Sequence, residues 1–268
     1  MTNKSKKPVK PVEKPFLTGS PADERTVRSA LAFFGVMILT VFVSFLVCTM
    51  MNMGSDLLRI GLNLAVVILV MFIFYNNAVS RGAEAVARGE ILWQRQEKGQ
   101  PFSASERAVC FHPLKGYLTG FLGTLPFLIA AAVLAVVTKK QTTGYGALPG
   151  WMSAFQQRSE IGDALVAYTA REGLQFTDIL RLLVRIVIMP FISMTGSENR
   201  DGLLLAERLS PLLTLLPALA FGTGYLQGRR ERTRIHTGIA ENRRSRARKE
   251  KRERKARTQR PKTPEQLN

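Results

Sequence analysis

Four apolar runs are set apart by polar stretches along this chain: Arg28–Met51, Leu57–Val79, Gly116–Thr138 and Leu203–Leu226. Each holds about 18 or more largely uncharged residues, enough for a helix to cross roughly 30 Å of hydrocarbon. The pattern predicts an all-α polytopic bundle with a membrane domain over about residues 23–228. A link around Asn52, Gly54, Ser55 and Asp56 is short enough to force the first two spans into an antiparallel hairpin.

A fifth stretch, Phe176–Met194, is apolar except for Asp178, Arg181 and Arg185, which share one helix face at i, i+3 and i+7. About a dozen apolar residues favour insertion by roughly 4–6 kcal/mol, and two central arginines oppose it by roughly 5–7 kcal/mol. Hydropathy therefore balances near zero. If the stretch spans, the chain crosses five times and its two ends lie on opposite sides. If it is amphipathic or re-entrant, the chain crosses four times and both ends share a side. Four crossings are favoured.

The polar connections differ in character. Residues 80–115 carry Arg81, Arg88, Arg95, Lys98, Arg107 and Lys115 and form a predicted cytosolic collar. Ala83–Trp93 has a helical pattern that Gly99 and Pro101 end, and Ser103 with Glu106 has the spacing of a capping box. Residues 141–202 form the predicted outer region. There Tyr145 and Trp151 suit an interfacial belt, and Ile161, Ala164, Leu165 and Tyr168 mark an amphipathic helix. Small residues four apart allow close helix approach, so Gly116, Gly120, Gly123 and Gly222 are candidate packing positions, within the chain or between copies. Asn63 is expected to hydrogen-bond a neighbouring helix.

Charge sets the orientation. The net charge is +18, from 38 Lys and Arg against 20 Asp and Glu, and it concentrates at the ends. Basic flanks place both termini in the cytosol by the positive-inside rule. The Lys- and Pro-rich arm over residues 1–22 is expected to be disordered, since Met1–Pro21 has too little apolar surface to fold. The tail over residues 229–268 is expected to be a marginal, solvated helix. Its polybasic stretch includes Arg243, Arg244, Arg246, Arg248, Lys249, Lys251, Arg252 and Arg254. These residues suit an anionic inner leaflet or a cytosolic partner. From Leu226 onward no Phe, Tyr or Trp is available to stack on bases, which disfavours sequence-specific nucleic-acid recognition.

No catalytic chemistry stands out. The two histidines, His112 and His236, lie far apart in the sequence. No His, Cys and carboxylate cluster has metal spacing, and no phosphate-cradling loop or nucleophile elbow is present. Cys48 lies inside the first span and reads as a small packing residue; a disulfide with Cys110 would lie at membrane depth. Neither enzyme activity nor a cofactor is expected. The sharpest signal is Arg181 and Arg185 with Asp178, candidates for an anion or lipid contact, with Glu207 as a further resting partner. The leading expectation is a membrane interaction or scaffold protein, possible as a homo-oligomer. The alternative is a transporter or channel component that uses those arginines for an anionic ligand.

The strings Phe111-His112-Pro113-Leu114-Lys115-Gly116, Arg181-Leu182-Leu183-Val184-Arg185 with Met189-Pro190, Glu207-Arg208-Leu209-Ser210-Pro211 and the ending Pro264-Glu265-Gln266-Leu267-Asn268 carry a resemblance. They resemble stretches of uncharacterised polytopic membrane proteins of Clostridia-type bacteria. The resemblance implies a bacterial plasma-membrane setting and carries no activity. A basic tail is also similar to that of membrane insertases, but their span layout and cytosolic hairpin are not evident here.

Overall fold

A computed structural model describes residues 12–50, 55–138, 155, 158, 176–196 and 199–258. Seven helices are seen among them: α1 (Glu24–Met50), α2 (Asp56–Glu97), α3 (Ala104–Ala108), α4 (Pro113–Val137), α5 (Phe176–Val187), α6 (Met189–Thr195) and α7 (Arg200–Thr258). Four of these, α1, α2, α4 and α7, are long and apolar enough to cross a membrane, the pattern of a multi-pass membrane protein. At most 28 % of each apolar window is buried against other protein, which leaves the rest of the apolar surface for lipid.

Sequence neighbours are not the closest packing partners. The most extensive contacts join α7 to α2 and to α4, and α4 then packs on α1. Around the bundle the order is α1, α4, α7, α2. The hairpin partners α1 and α2 barely touch, meeting mainly where Phe33 lies 4.8 Å from Phe74 between ring centroids. Phe221 closes this knot edge-on, 5.0 Å from Phe33. Close approach elsewhere depends on small residues. A Cβ on Gly82 or Gly228 would run into the backbone of the other helix where α2 and α7 cross.

The bundle has two unlike ends. At the basal end lie Glu24, Glu97 and Pro113; at the far end lie Met50, Asp56, Val137 and Arg200. α5 and α6 are wedged into the far end, in the gap that α1 and α2 leave open. α5 enters beside α4 and α7, where Leu180 and Val184 pack with Ala131, Leu134 and Ala206. The helix breaks at Ile188, which is 2 % exposed, and Pro190 starts the next turn. α6 then returns to Gly196, beside the Arg59 side chain in the first turns of α2. The stretch Phe176–Met194 is thus a re-entrant helical pair that enters and leaves at one end. Proline lacks the amide hydrogen that would continue the helix, so α5 and α6 are two short rods and not one span.

One expectation needs correction at the basal end, the disordered arm. The helical pattern over Ala83–Trp93 is present as the end of α2, which runs unbroken from its apolar half to Glu97, and Gly99, with φ of 69°, turns the chain. The capping box does form. Ser103 Oγ accepts from the Glu106 amide at 3.2 Å, and Glu106 Oε2 accepts from the Ser103 amide at 3.0 Å.

The arm expected to be disordered is laid against the bundle over residues 12–23. Leu17 donates its amide to the Gly89 carbonyl at 3.1 Å, and Gly19 donates to Phe111 at 3.0 Å. Phe16 meets the Phe111 ring edge-on at 6.1 Å. One aromatic residue and a strip of paired backbone suffice, because the collar supplies the apolar surface that the arm lacks. Residues 1–11 lie outside the described residues.

The tail is a solvated helix, as expected, and it continues the last apolar run. α7 is one helix of 59 residues, about 88 Å long at 1.5 Å per residue. Pro211 and Pro217 sit inside it without ending it. Also outside the described residues are the link at 51–54, the tail beyond 258, Tyr145, Trp151 and the amphipathic helix around 161–168. Asn63 is fully buried, but its Nδ2 donates to the Arg59 carbonyl of its own helix at 2.8 Å rather than to a neighbour.

Candidate functional site

The far-end site is built by three helices. Glu207 stands two turns into α7, with its side chain 2 % exposed. α5 carries Arg181 and Arg185 one turn apart, so both guanidinium groups reach the same carboxylate. Arg185 Nε donates to Glu207 Oε1 at 2.7 Å, and Arg181 Nε lies 3.2 Å from the same oxygen. Thr138, which ends α4, donates its hydroxyl to Glu207 Oε2 and accepts from Arg181 Nη2 at 3.2 Å. Asp178 flanks the group, 3.5 Å from Arg181 Nη1.

Sequence reasoning named Arg181, Arg185 and Asp178 and offered Glu207 as a partner; the fold brings all four together. Thr138 was read only as the end of a span, and nothing in its context signalled a role. Chemically the cluster is a pinned lock. Arginine forks match carboxylate geometry, and the low-dielectric site strengthens each charge-assisted bond while making any lone charge costly. The packing that binds α5 to α4 and α7 surrounds it, with Leu134 and Ile188 among the most buried residues.

The candidate packing glycines lie within the chain. Gly116 faces Tyr225 and Gly222 faces Tyr117, a reciprocal fit of ring into groove between α4 and α7. A Cβ on Gly120 would lie 2.9 Å from the Ala218 carbonyl oxygen, and Gly123 receives Phe33 of α1. All four glycines are buried, so these positions serve intrachain contact.

The basal end holds a second charged group that sequence reasoning missed. Glu90, buried on the collar half of α2, accepts from Arg232 Nε at 3.1 Å and Nη2 at 2.9 Å through Oε2. His236 Nε2 lies 2.8 Å from its other oxygen, Oε1. Arg232 and His236 share a face of α7 at i and i+4, a spacing visible in sequence, but nothing pointed across 142 residues to Glu90. Val12 reaches the same place, donating its amide to Thr237 Oγ1 at 3.0 Å.

A third pair fastens the start of α1. Asp23 accepts from the Thr26 amide at 2.6 Å, and Thr26 Oγ1 accepts from the Asp23 amide at 3.1 Å, a reciprocal helix cap. Lys115 Nζ donates to Asp23 Oδ2 at 2.8 Å and to the Ala108 carbonyl at 2.8 Å. Burial pushes the Asp23 carboxyl up, but the bonds from Lys115 and Thr26 outweigh it and hold the group below the usual aspartate range.

His112 caps α4, its Nδ1 accepting from the Leu114 amide at 3.3 Å. Cys48 and Cys110 are both free and buried, and burial pushes the Cys110 thiol up. Among the described residues no group of three or more His, Cys, Asp or Glu is arranged to hold a metal. The polybasic residues Arg243, Arg244, Arg246, Arg248, Lys249, Lys251, Arg252 and Arg254 all lie on α7 and are exposed. No family model, curated protein or solved structure matches this chain.

Proposed function

We propose that this chain is a non-enzymatic plasma-membrane anchor that presents a rigid basic helix to an acidic surface of a cytosolic partner. The observation that carries the reading is the continuity of α7 from its apolar half into the polybasic stretch. α2 and α7 run parallel and stay in contact past the apolar boundary, from Tyr75 beside Gly224 to Glu90 beside His236. A stalk of two helices results, clamped by Glu90. From Glu241 to Lys255 every residue is exposed, and among the described residues no other helix runs beside this stretch.

Such an arm points away from its own leaflet. At 1.5 Å per residue, Arg243 stands about 21 Å beyond Arg229, and Arg254 about 38 Å. The attraction of an anionic leaflet fades over a Debye length of about 8 Å at physiological salt. An isolated tail peptide would settle on anionic lipid; a clamped one is held out of reach. Transport through Arg181 and Arg185 has weaker support, because both are engaged by the buried Glu207 carboxylate.

The test uses the full chain with Cys48 and Cys110 replaced by Ala and a fluorophore on a cysteine at Thr258. In nanodiscs containing anionic lipid, a spin-labelled lipid quencher should leave the fluorophore bright. Strong quenching would return the reading to direct lipid contact. In intact cells the same cysteine should resist an impermeant thiol reagent, and labelling would place the arm outside the cell.

A further inference from the structure

Because α1 and α2 diverge below the Phe33–Phe74 contact, a cleft opens between them at the basal end. A cavity of about 370 Å³ lies there, with Arg25 and Arg28 on the α1 wall and Arg81 and Arg88 on the α2 wall. Lys115 also lines it, but Asp23 neutralises that charge at 2.8 Å. Glu84 is the other carboxylate on the wall, so positive charge is in excess. Among the described residues none of the four arginines has a carboxylate within 4.0 Å. Arg81 rests over the Phe221 ring, 5.9 Å from its centroid.

The height of this cleft matters as much as its charge. Arg28 is the last charged residue before the apolar run of α1, and Arg81 is the first after the apolar run of α2. Both sit at the boundary where hydrocarbon gives way to headgroups. Val27 and Leu31 flank Arg28 on α1 and are 58 % and 66 % exposed, offering apolar surface beside the charged mouth. A guanidinium fork matches the paired oxygens of a phosphate, and basic pockets between membrane helices bind anionic headgroups. We infer that this cleft binds the phosphate of an anionic phospholipid headgroup, with the acyl chains lying against α1. The site is separate from the α7 arm and would stand whether or not the arm meets a partner.

The experiment is native mass spectrometry of the full chain released from detergent with phosphatidylglycerol, phosphatidylcholine or glycerol 1-phosphate. The wild type should retain one phosphatidylglycerol in preference to phosphatidylcholine. The variant Arg25→Gln, Arg28→Gln, Arg88→Gln alters exposed side chains, and an unchanged melting curve checks that it folds. It should bind phosphatidylglycerol on the order of a hundredfold more weakly. Lysine at the same three positions should recover part of the loss. The arm variant Lys249→Gln, Lys251→Gln, Arg252→Gln, Arg254→Gln should bind as the wild type does. Equal retention of both lipids, full retention by the glutamine variant, or loss in the arm variant would each overturn the site. Glycerol 1-phosphate binding as tightly as the lipid would show a soluble anion as the ligand and overturn the lipid assignment. Should the glutamine variant fail to fold, a photoactivatable phosphatidylglycerol on the wild type decides. Crosslinks confined to residues 24–31 and 80–88 support the cleft, and crosslinks elsewhere refute it.

Discussion

Arginine does opposite work at the two ends of this molecule. At the far end, Arg181 and Arg185 are packed around one buried carboxylate, and three helices meet on that point. At the basal end, the arginines and lysines from Arg243 to Arg254 are exposed along a single helix. The first group holds the fold together and offers little to a ligand. The second adds little to the fold and is exposed to solvent. Number of charges is therefore a poor guide to consequence: two arginines held on one buried carboxylate matter more to stability than eight exposed cations, because removing that carboxylate strands their charge.

The sharpest way to break this contrast is Glu207→Leu. It leaves two guanidinium groups facing each other in a buried site and should cost about 3–5 kcal/mol, read as a large fall in melting temperature in detergent. Adding Arg181→Leu and Arg185→Leu to that variant should recover much of the loss, since an apolar trio leaves no stranded charge. If the triple variant melts below the single one, the cluster is not an isolated lock. The arginine pair alone, with Glu207 intact, should resemble the single variant.

Next in size is Glu90→Gln at the foot of the stalk. Breaking a buried carboxylate with two partners should cost about 1–3 kcal/mol. The effect should be local: amide exchange should quicken in α7 from Arg229 to Ala240 and stay unchanged around Glu207. Equal protection throughout α7 would mean that the arm does not depend on this clamp.

Asp23 gives a smaller, pH-dependent effect. Its folded carboxyl titrates below the usual aspartate value of about 3.9, so its contribution is fully present above that value. It is lost as pH falls through the lower folded value. The wild type should therefore lose melting temperature on acidification below about pH 4, and Asp23→Asn should start lower and change less over that range. Asparagine keeps the cap through its side-chain oxygen, so the loss in that variant is the charge on the bond from Lys115, worth about 1 kcal/mol. Smallest of all, the arm variant Lys249→Gln, Lys251→Gln, Arg252→Gln, Arg254→Gln should shift stability by no more than about 0.5 kcal/mol. Its salt-sensitive retention on a polyanion column should nonetheless fall sharply. A marked loss of stability would erase the contrast between the two ends.

The apolar runs predict four helices, and α1, α2, α4 and α7 contain them, because runs of that length satisfy their backbone in lipid as helices. The capping box at Ser103 and Glu106 was equally readable, being a local bond between residues three apart. Asp178 and Glu207 were both named as resting partners for Arg181 and Arg185, and the structure places both beside Arg181. Hydropathy could not place Phe176–Met194, because its apolar gain and its arginine cost cancel. The break at Ile188 and the carboxylate waiting on α7 resolve that balance: the arginines are paired inside the protein and need neither water nor headgroups.

By itself the sequence determined what depends on local length and spacing: the all-α class, the long apolar helices, the caps and the charged ends. Tertiary structure decided what depends on distant partners. It set α2 on α7 and not on α1, folded the re-entrant pair into the gap, drew the N-terminal arm onto the collar and joined Glu90 to Arg232 and His236. The physical reason is that a helix span is stabilised by its own backbone bonds and by lipid, whereas a buried ion pair gains its energy only when two remote helices have already been brought to hydrogen-bond distance.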